Sequence, residues 1–91
     1  MNAAQEQLFD EALLRVLDRN ISQFGLGAAA LQVLVGEFGF TPALELVQRR
    51  LDYLCDEKIG YVAEVNKKAN RANRAWKITA DGTDHLRAKG F

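Results

Sequence analysis

Apolar residues return at helical spacing through most of this chain and switch to strand spacing only near its end. Between Ala4 and Arg19, Leu8, Phe9, Ala12, Leu13, Val16 and Leu17 recur at steps of three and four, with Glu6, Glu11, Arg15 and Asp18 between them. That period predicts a first helix with one face in a core and those four charged residues in water. Asn20 suits its C-terminal stop. The connector Ile21 to Gly27 loses the period and offers Ile21, Phe24 and Leu26 as apolar anchors. Ala28 to Phe38 predicts a second helix whose Ala29, Leu31, Val33, Leu34, Val35 and Phe38 leave little polar circumference. Such a helix calls for cover on more than one side, from the first and third helices and from a second subunit. Gly36 weakens its last turn by about 1 kcal/mol relative to alanine.

The third helix has the clearest start. Gly39 provides the positive φ for a turn, Thr41 offers a hydroxyl to the free N–H groups of a first turn, and Pro42 has no N–H to waste. A helix over about 42–57 follows, with Leu44, Val47, Leu51 and Leu54 as its buried stripe. Phe40, just before the cap, is placed to pack on Leu44 or the stem of Glu45. Glu45, Gln48, Arg49 and Asp52 form the outer side, with Leu46, Arg50 and Tyr53 at its borders. Ile59 to Val65 and Ala75 to Thr79 then read as two strands of a hairpin, with Trp76 and Ile78 on one face as core filler. Asp81-Gly82 reads as a turn or cap, and Thr83 to Lys89 as a short terminal helix anchored by Leu86.

Composition adds bounds. Ninety-one residues, 48% apolar and 26% charged, suit one domain over 1–91 with a single core. No apolar run approaches the roughly 18–20 residues of a membrane helix, and the N-terminus lacks the basic start and apolar middle of a signal peptide, so no membrane partner and a cytoplasmic location are expected. Cys55 is the single cysteine and reads as a packing residue. Net charge is zero but polarised: residues 1–64 hold ten acids against five bases, and residues 65–91 hold seven bases against two acids. The hairpin end of the molecule is therefore the positive end. From the loop into the second strand, Lys67, Lys68, Arg71, Arg74 and Lys77 occur with no acid among residues 67–77, and asparagines suit the loop tip. Cations so arranged can track a phosphate backbone, and an arginine at the tip can enter a minor groove. Arg71 and Arg74 are the candidates for the tip, with Lys67, Lys68 and Lys77 lower down.

The element order, together with Val47-x-x-x-Leu51-x-x-Leu54, Ile59 opening the first strand and Trp76-Lys77-Ile78-Thr79-x-x-Gly82-x-x-x-Leu86, resembles winged helix-turn-helix DNA-binding proteins of the MarR-like kind. Ile78-Thr79-x-x-Gly82 is similar to the LTxxG ending of the wing in that family. The resemblance covers residues 8–90, and some similarity extends to small prophage-type winged-helix proteins. It implies an α+β, mainly helical fold with a three-helix body, a two- or three-stranded wing sheet whose extra strand lies between Ile21 and Gly27, and a short C-terminal helix. It further implies double-stranded DNA as partner and a homodimer acting as a small transcription regulator. The recognition helix, 42–57, would enter the major groove through Ala43, Glu45, Leu46, Gln48 and Arg49, with Arg50 beside them, and the wing, 67–77, would lie on phosphates or in the minor groove. Gln48 and Arg49 carry groups that read adenine and guanine edges.

Two features depart from that pattern. Glu45, Asp52, Asp56 and Glu57 outnumber Arg49 and Arg50 on the helix, and carboxylates repel phosphates. Lys58 occupies the position where the family places a glycine, and Gly60 follows two residues later. The acidic helix favours an alternative, a winged helix used as a protein-interaction adaptor without DNA binding. Catalysis finds little footing: His85 is the one histidine, with Asp81 four residues before it as a surface pair, and the chain has no zinc-ligand spacing, P-loop or G-x-G-x-x-G. No enzyme activity, cofactor, metal or small-molecule ligand is expected.

Overall fold

The computed structural model describes residues 1–65 and 74–91. Among them are four helices, α1 (Ala3–Arg19), α2 (Ala28–Leu34), α3 (Leu44–Cys55) and α4 (Ala80–Ala88), and two strands, β1 (Val62–Val65) and β2 (Ala75–Ile78). The domain is α+β and mainly helical. The strands pair antiparallel, with Val62 opposite Ile78 and Glu64 opposite Trp76. Leu26 in the connector adds one bridge to the far edge of β2: its N–H and C=O both bond Trp76, each at 2.8 Å. The extra strand expected between Ile21 and Gly27 is thus a single ladder rung.

The α1 helix opens on a reciprocal cap that composition alone did not reveal, in which Asn2 and Gln5 exchange side-chain-to-backbone bonds at 2.9 and 3.0 Å. It runs through the middle of the molecule. Phe9, Leu13, Val16 and Leu17 face one side, while Leu14 and Glu11, further round the helix, are buried as well. Burial on so wide an arc overturns two expectations: Glu11 is not wet, and Leu8, on the remaining open arc, is 58% exposed. The core is completed by Leu31 and Val35, by Val47, Leu51 and Leu54 of α3, and by Val62, Trp76 and Leu86.

The second helix is shorter than its apolar run. After Leu34 the chain tightens into a 3-10 turn over Val35–Phe38 and ends on Gly39 at φ 87°, the positive φ expected there. Leu31 and Val35 go into the core, but Val33 stays 75% exposed. Ile21 and Phe24, expected as anchors, are 77% and 74% exposed, so Leu26 alone holds the connector. Arg15 lies between the rings of Phe38 and Phe91, 4.3 Å from each centroid, which fastens the C-terminal residue to α1.

Thr41 does not cap α3. The helix begins two residues later with Ala43, in extended backbone, as N-cap and no side-chain cap, and Pro42 lies before it, where its carbonyl accepts a bond from the Gln32 amide at 3.0 Å. Phe40 packs on the Phe9 ring, 5.3 Å between centroids, and Leu44 is left 37% exposed. At the other end α3 stops at Cys55, and Gly60 takes φ 69° after a tight turn closed by its N–H on the Asp56 carbonyl. The helix therefore ends at Asp56 without a left-handed cap, and the positive φ comes at Gly60, in the turn beyond it.

The terminal helix starts earlier than expected, because Thr79 is its cap: the hydroxyl accepts from the Gly82 N–H at 3.1 Å and donates to the Gly60 carbonyl at 2.6 Å. Gly82 is inside the first turn and buried, not in a turn before it. No helix among the described residues is long and apolar enough to cross a membrane.

Candidate nucleic-acid interface

The period of α3 decides which side chains it presents. With Val47, Leu51 and Leu54 buried, Glu45, Arg49 and Asp52 are exposed on the outer side and Gln48 is half-buried beside them. Of the candidate base-reading residues, Gln48 and Arg49 therefore share one outward stripe.

Arg74 ties the strand pair to that stripe. Its Nε bonds Glu64 of β1 at 2.7 Å, and one Nη bonds Asp52 of α3 at 2.7 Å and the second Glu64 oxygen at 3.3 Å. The guanidinium lies over the Trp76 ring at 4.8 Å. These bonds, to Glu64 first and Asp52 second, push the Arg74 pKa far up, so the side chain stays charged in any usable buffer. A small cleft of about 200 Å³ lies here, with Gln48 and Leu44 on one wall and Arg74 and Trp76 on the other. The base of the hairpin and the Gln48 side of α3 thus line one cleft.

The remaining candidates divide. Lys67, Lys68 and Arg71 lie outside the described residues. Arg74 is not at a free tip; its charge is matched locally by Asp52 and Glu64. Lys77 is exposed, but it alternates with Trp76 along β2 and so points to the sheet face away from α3. Arg50 leaves the outer side altogether. It turns to α1, giving Asp10 two bonds at 2.8 and 2.6 Å and Glu6 one at 2.9 Å, with its side chain 15% exposed and stacked over Tyr53. The Asp10 bonds first, and the charges of Asp10 and Glu6 after them, raise its pKa against the cost of burial. Among the described residues the presented side of α3 carries one unmatched cation, Arg49, against the exposed Glu45.

Glu64 and Asp52 were missed as partners of Arg74. Half of that was within reach: once Glu64 pairs with Trp76, Arg74 is its diagonal neighbour across the strands, at a separation long side chains span. The Arg50–Asp10 pair spans 40 residues and carries no local signal.

A double-mutant cycle weighs the Arg50 pair. Removing the guanidinium in Arg50→Met leaves two carboxylates facing each other in a half-buried site and is expected to cost about 1–2 kcal/mol. Coupling to Asp10→Asn of about 1 kcal/mol or more in urea melts confirms a stabilising pair; additive losses exclude it.

His85, expected to pair with Asp81, instead stacks on Tyr61 with centroids 4.5 Å apart. No group of three or more potential metal ligands occurs among the described residues. Comparison with protein-family models, with curated proteins and with solved structures finds no match to this chain.

Proposed function

We propose that the chain is a winged helix-turn-helix domain that binds double-stranded DNA as a homodimer and acts as a small transcription regulator. In this reading α3 enters the major groove and the hairpin is the wing. The observation that carries it is the Arg74 bridge: by bonding Asp52 and Glu64 together, it holds the base of the cationic hairpin on the Gln48 and Arg49 side of α3. A duplex laid against that side would meet both elements at once. Gln48 offers the amide that pairs with adenine and Arg49 the fork that pairs with guanine, while Glu45 can accept from a cytosine amino group. Lys67, Lys68 and Arg71 supply phosphate attraction without sequence preference. Arg74 and Arg50 are positioning residues here, since their charges are already engaged. A second copy doubles the phosphate contacts, and the mechanism is occupancy of a promoter.

Anisotropy titration of random and selected duplexes at several salt concentrations tests this. Affinity is expected to fall with salt at a log–log slope of about −3 to −4 per monomer, as Arg49, Lys67, Lys68 and Arg71 displace counterions. Lys67, Lys68 and Arg71 changed together to alanine should weaken every sequence alike, whereas Arg49→Ala should relax preference among sequences. Absence of binding at low salt would defeat the proposal.

The second reading is a protein-interaction adaptor on the same scaffold. It is favoured by Glu45, Asp52, Asp56 and Glu57, all exposed along and just after α3, and by the bare apolar side chains of Ile21, Phe24 and Val33.

A further inference from the structure

A second and larger cleft lies on another side of α3, between it, α1 and α4. Its volume is about 490 Å³, within the range of roughly 300–1,000 Å³ that small-molecule sites occupy. The floor is apolar, formed where Leu54 and Ile59 approach α1. One wall is the Arg50 network with Asp10 and Glu6; Tyr53 adjoins it, its ring under the Arg50 guanidinium at 4.4 Å. The opposite wall is the Tyr61–His85 stack.

The chemistry of these walls selects a ligand. Asp10 spends both carboxylate oxygens on Arg50, whereas Glu6 spends one, leaving Oε1 without a bond among the described residues. Two carboxylates against one guanidinium give the ion network an excess of negative charge. Tyrosine faces are electron-rich and attract cations rather than anions; one face of Tyr53 already carries the Arg50 guanidinium and one face of Tyr61 the His85 ring, which leaves the second face of each for a ligand. The tyrosine hydroxyls have no hydrogen-bond partner among the described residues and can serve as acceptors or donors at the rim. An apolar floor, two tyrosine rings and one free carboxylate oxygen together match a flat ring system bearing a positive charge.

We propose that this cleft binds a planar organic cation, an aromatic amidine or protonated aromatic amine, with the ring on the apolar floor between Tyr53 and Tyr61 and the cationic group at Glu6. The site is separate from the DNA-binding reading, because neither Gln48 nor Arg49 lines this cleft, and its test needs no DNA.

The probes are 2-naphthamidine, its neutral counterpart 2-naphthamide and the anionic 2-naphthoate, each titrated into the ¹⁵N-labelled full chain. A ligand of this size is expected to bind with Kd about 0.1–1 mM. The amidine should give saturable shifts centred on residues 6–10, 50–54, 59–61 and 85, the amide weaker ones, and the naphthoate none. Glu6→Gln should weaken the amidine about 3- to 10-fold, and Tyr53→Leu should do so while keeping the Arg50 network intact. Glu37→Gln removes an equal charge that pairs with Arg19 at the other end of α1, roughly 20 Å away, and should have no effect. Well-dispersed spectra establish that each variant is folded. Equal binding of amidine and naphthoate, equal effects of Glu6→Gln and Glu37→Gln, or no saturable shift below about 5 mM would overturn the proposal.

Discussion

Gly82→Ala is expected to destabilise the domain by about 2–3 kcal/mol, although the residue lies in a helix, where alanine is ordinarily the better choice. A Cβ at this position would fall inside van der Waals contact of the Tyr61 carbonyl oxygen and 2.7 Å from Ile78 Cγ1. Neither neighbour yields easily. The Tyr61 carbonyl is held by the Thr79 N–H at 3.0 Å, and Thr79 is in turn held by Gly60 and by Gly82 itself. To make room, α4 would have to lift from the turn that starts β1, taking buried Leu86 with it. The helix preference of alanine recovers at most about 1 kcal/mol of that cost. In a domain of this size the net loss lowers Tm by about 10–20 °C, measurable by circular dichroism.

Gly36→Ala is the matched control with the opposite sign. Nothing lies within 4 Å of a Cβ there, and its φ is not in the left-handed range. It should be neutral or stabilising by up to about 1 kcal/mol. If both variants lose stability alike, the cost at Gly82 is a general glycine effect and the close-approach argument fails.

This pair also explains why Thr79-x-x-Gly82 is readable in the sequence yet easily misread. The two residues mark a helix start, but the glycine is needed for its contact with Tyr61 and not for a turn. Elsewhere, legibility followed the range of the interaction. Periodicity located α1 to within a residue, the two strands to within three residues of each end, and the outward stripe of Gln48 and Arg49, because each depends on neighbours a few positions away. It failed where burial depends on distant parts of the chain. Leu8 and Glu11 exchanged roles because α1 is covered on two sides, and a one-sided helix was the simpler reading. Thr41 and Pro42 looked like a cap, but the Pro42 carbonyl is engaged by Gln32, and the helix waits for Ala43. Arg50 and Arg74 looked like free cations because their partners, Asp10 and Asp52, are 40 and 22 residues away. Charge matching across such distances decides how much of a basic segment is available to a partner, and local pattern does not record it.

The largest expected effect is at Trp76. It is 1% exposed and joins three parts of the fold: its backbone carries both bonds of the Leu26 bridge, its strand position opposes Glu64, and its ring lies under Arg74. Trp76→Ala should cost about 3–5 kcal/mol, through lost burial and a cavity that backbone pairing on both edges of β2 keeps from collapsing. Against a total stability of roughly 5–14 kcal/mol for a chain of this length, that is a large share. Trp76→Phe separates the two properties of the indole. The Nε1–H is buried with no partner among the described residues, a condition that costs about 1–3 kcal/mol, and phenylalanine removes that donor while keeping most of the apolar ring. Its loss should therefore be less than half that of Trp76→Ala in urea melts. A phenylalanine variant as unstable as the alanine one would mean that the Nε1–H has a partner in solution, such as a bound water, and that the indole is held by its hydrogen bond as well as by its bulk. The two outcomes also bear on the proposed interface. If bulk alone holds the ring, Arg74 keeps its seat in Trp76→Phe and the bridge to Asp52 survives. DNA affinity should then change by less than about twofold, while Trp76→Ala lets the hairpin base detach from α3 and weakens affinity with stability.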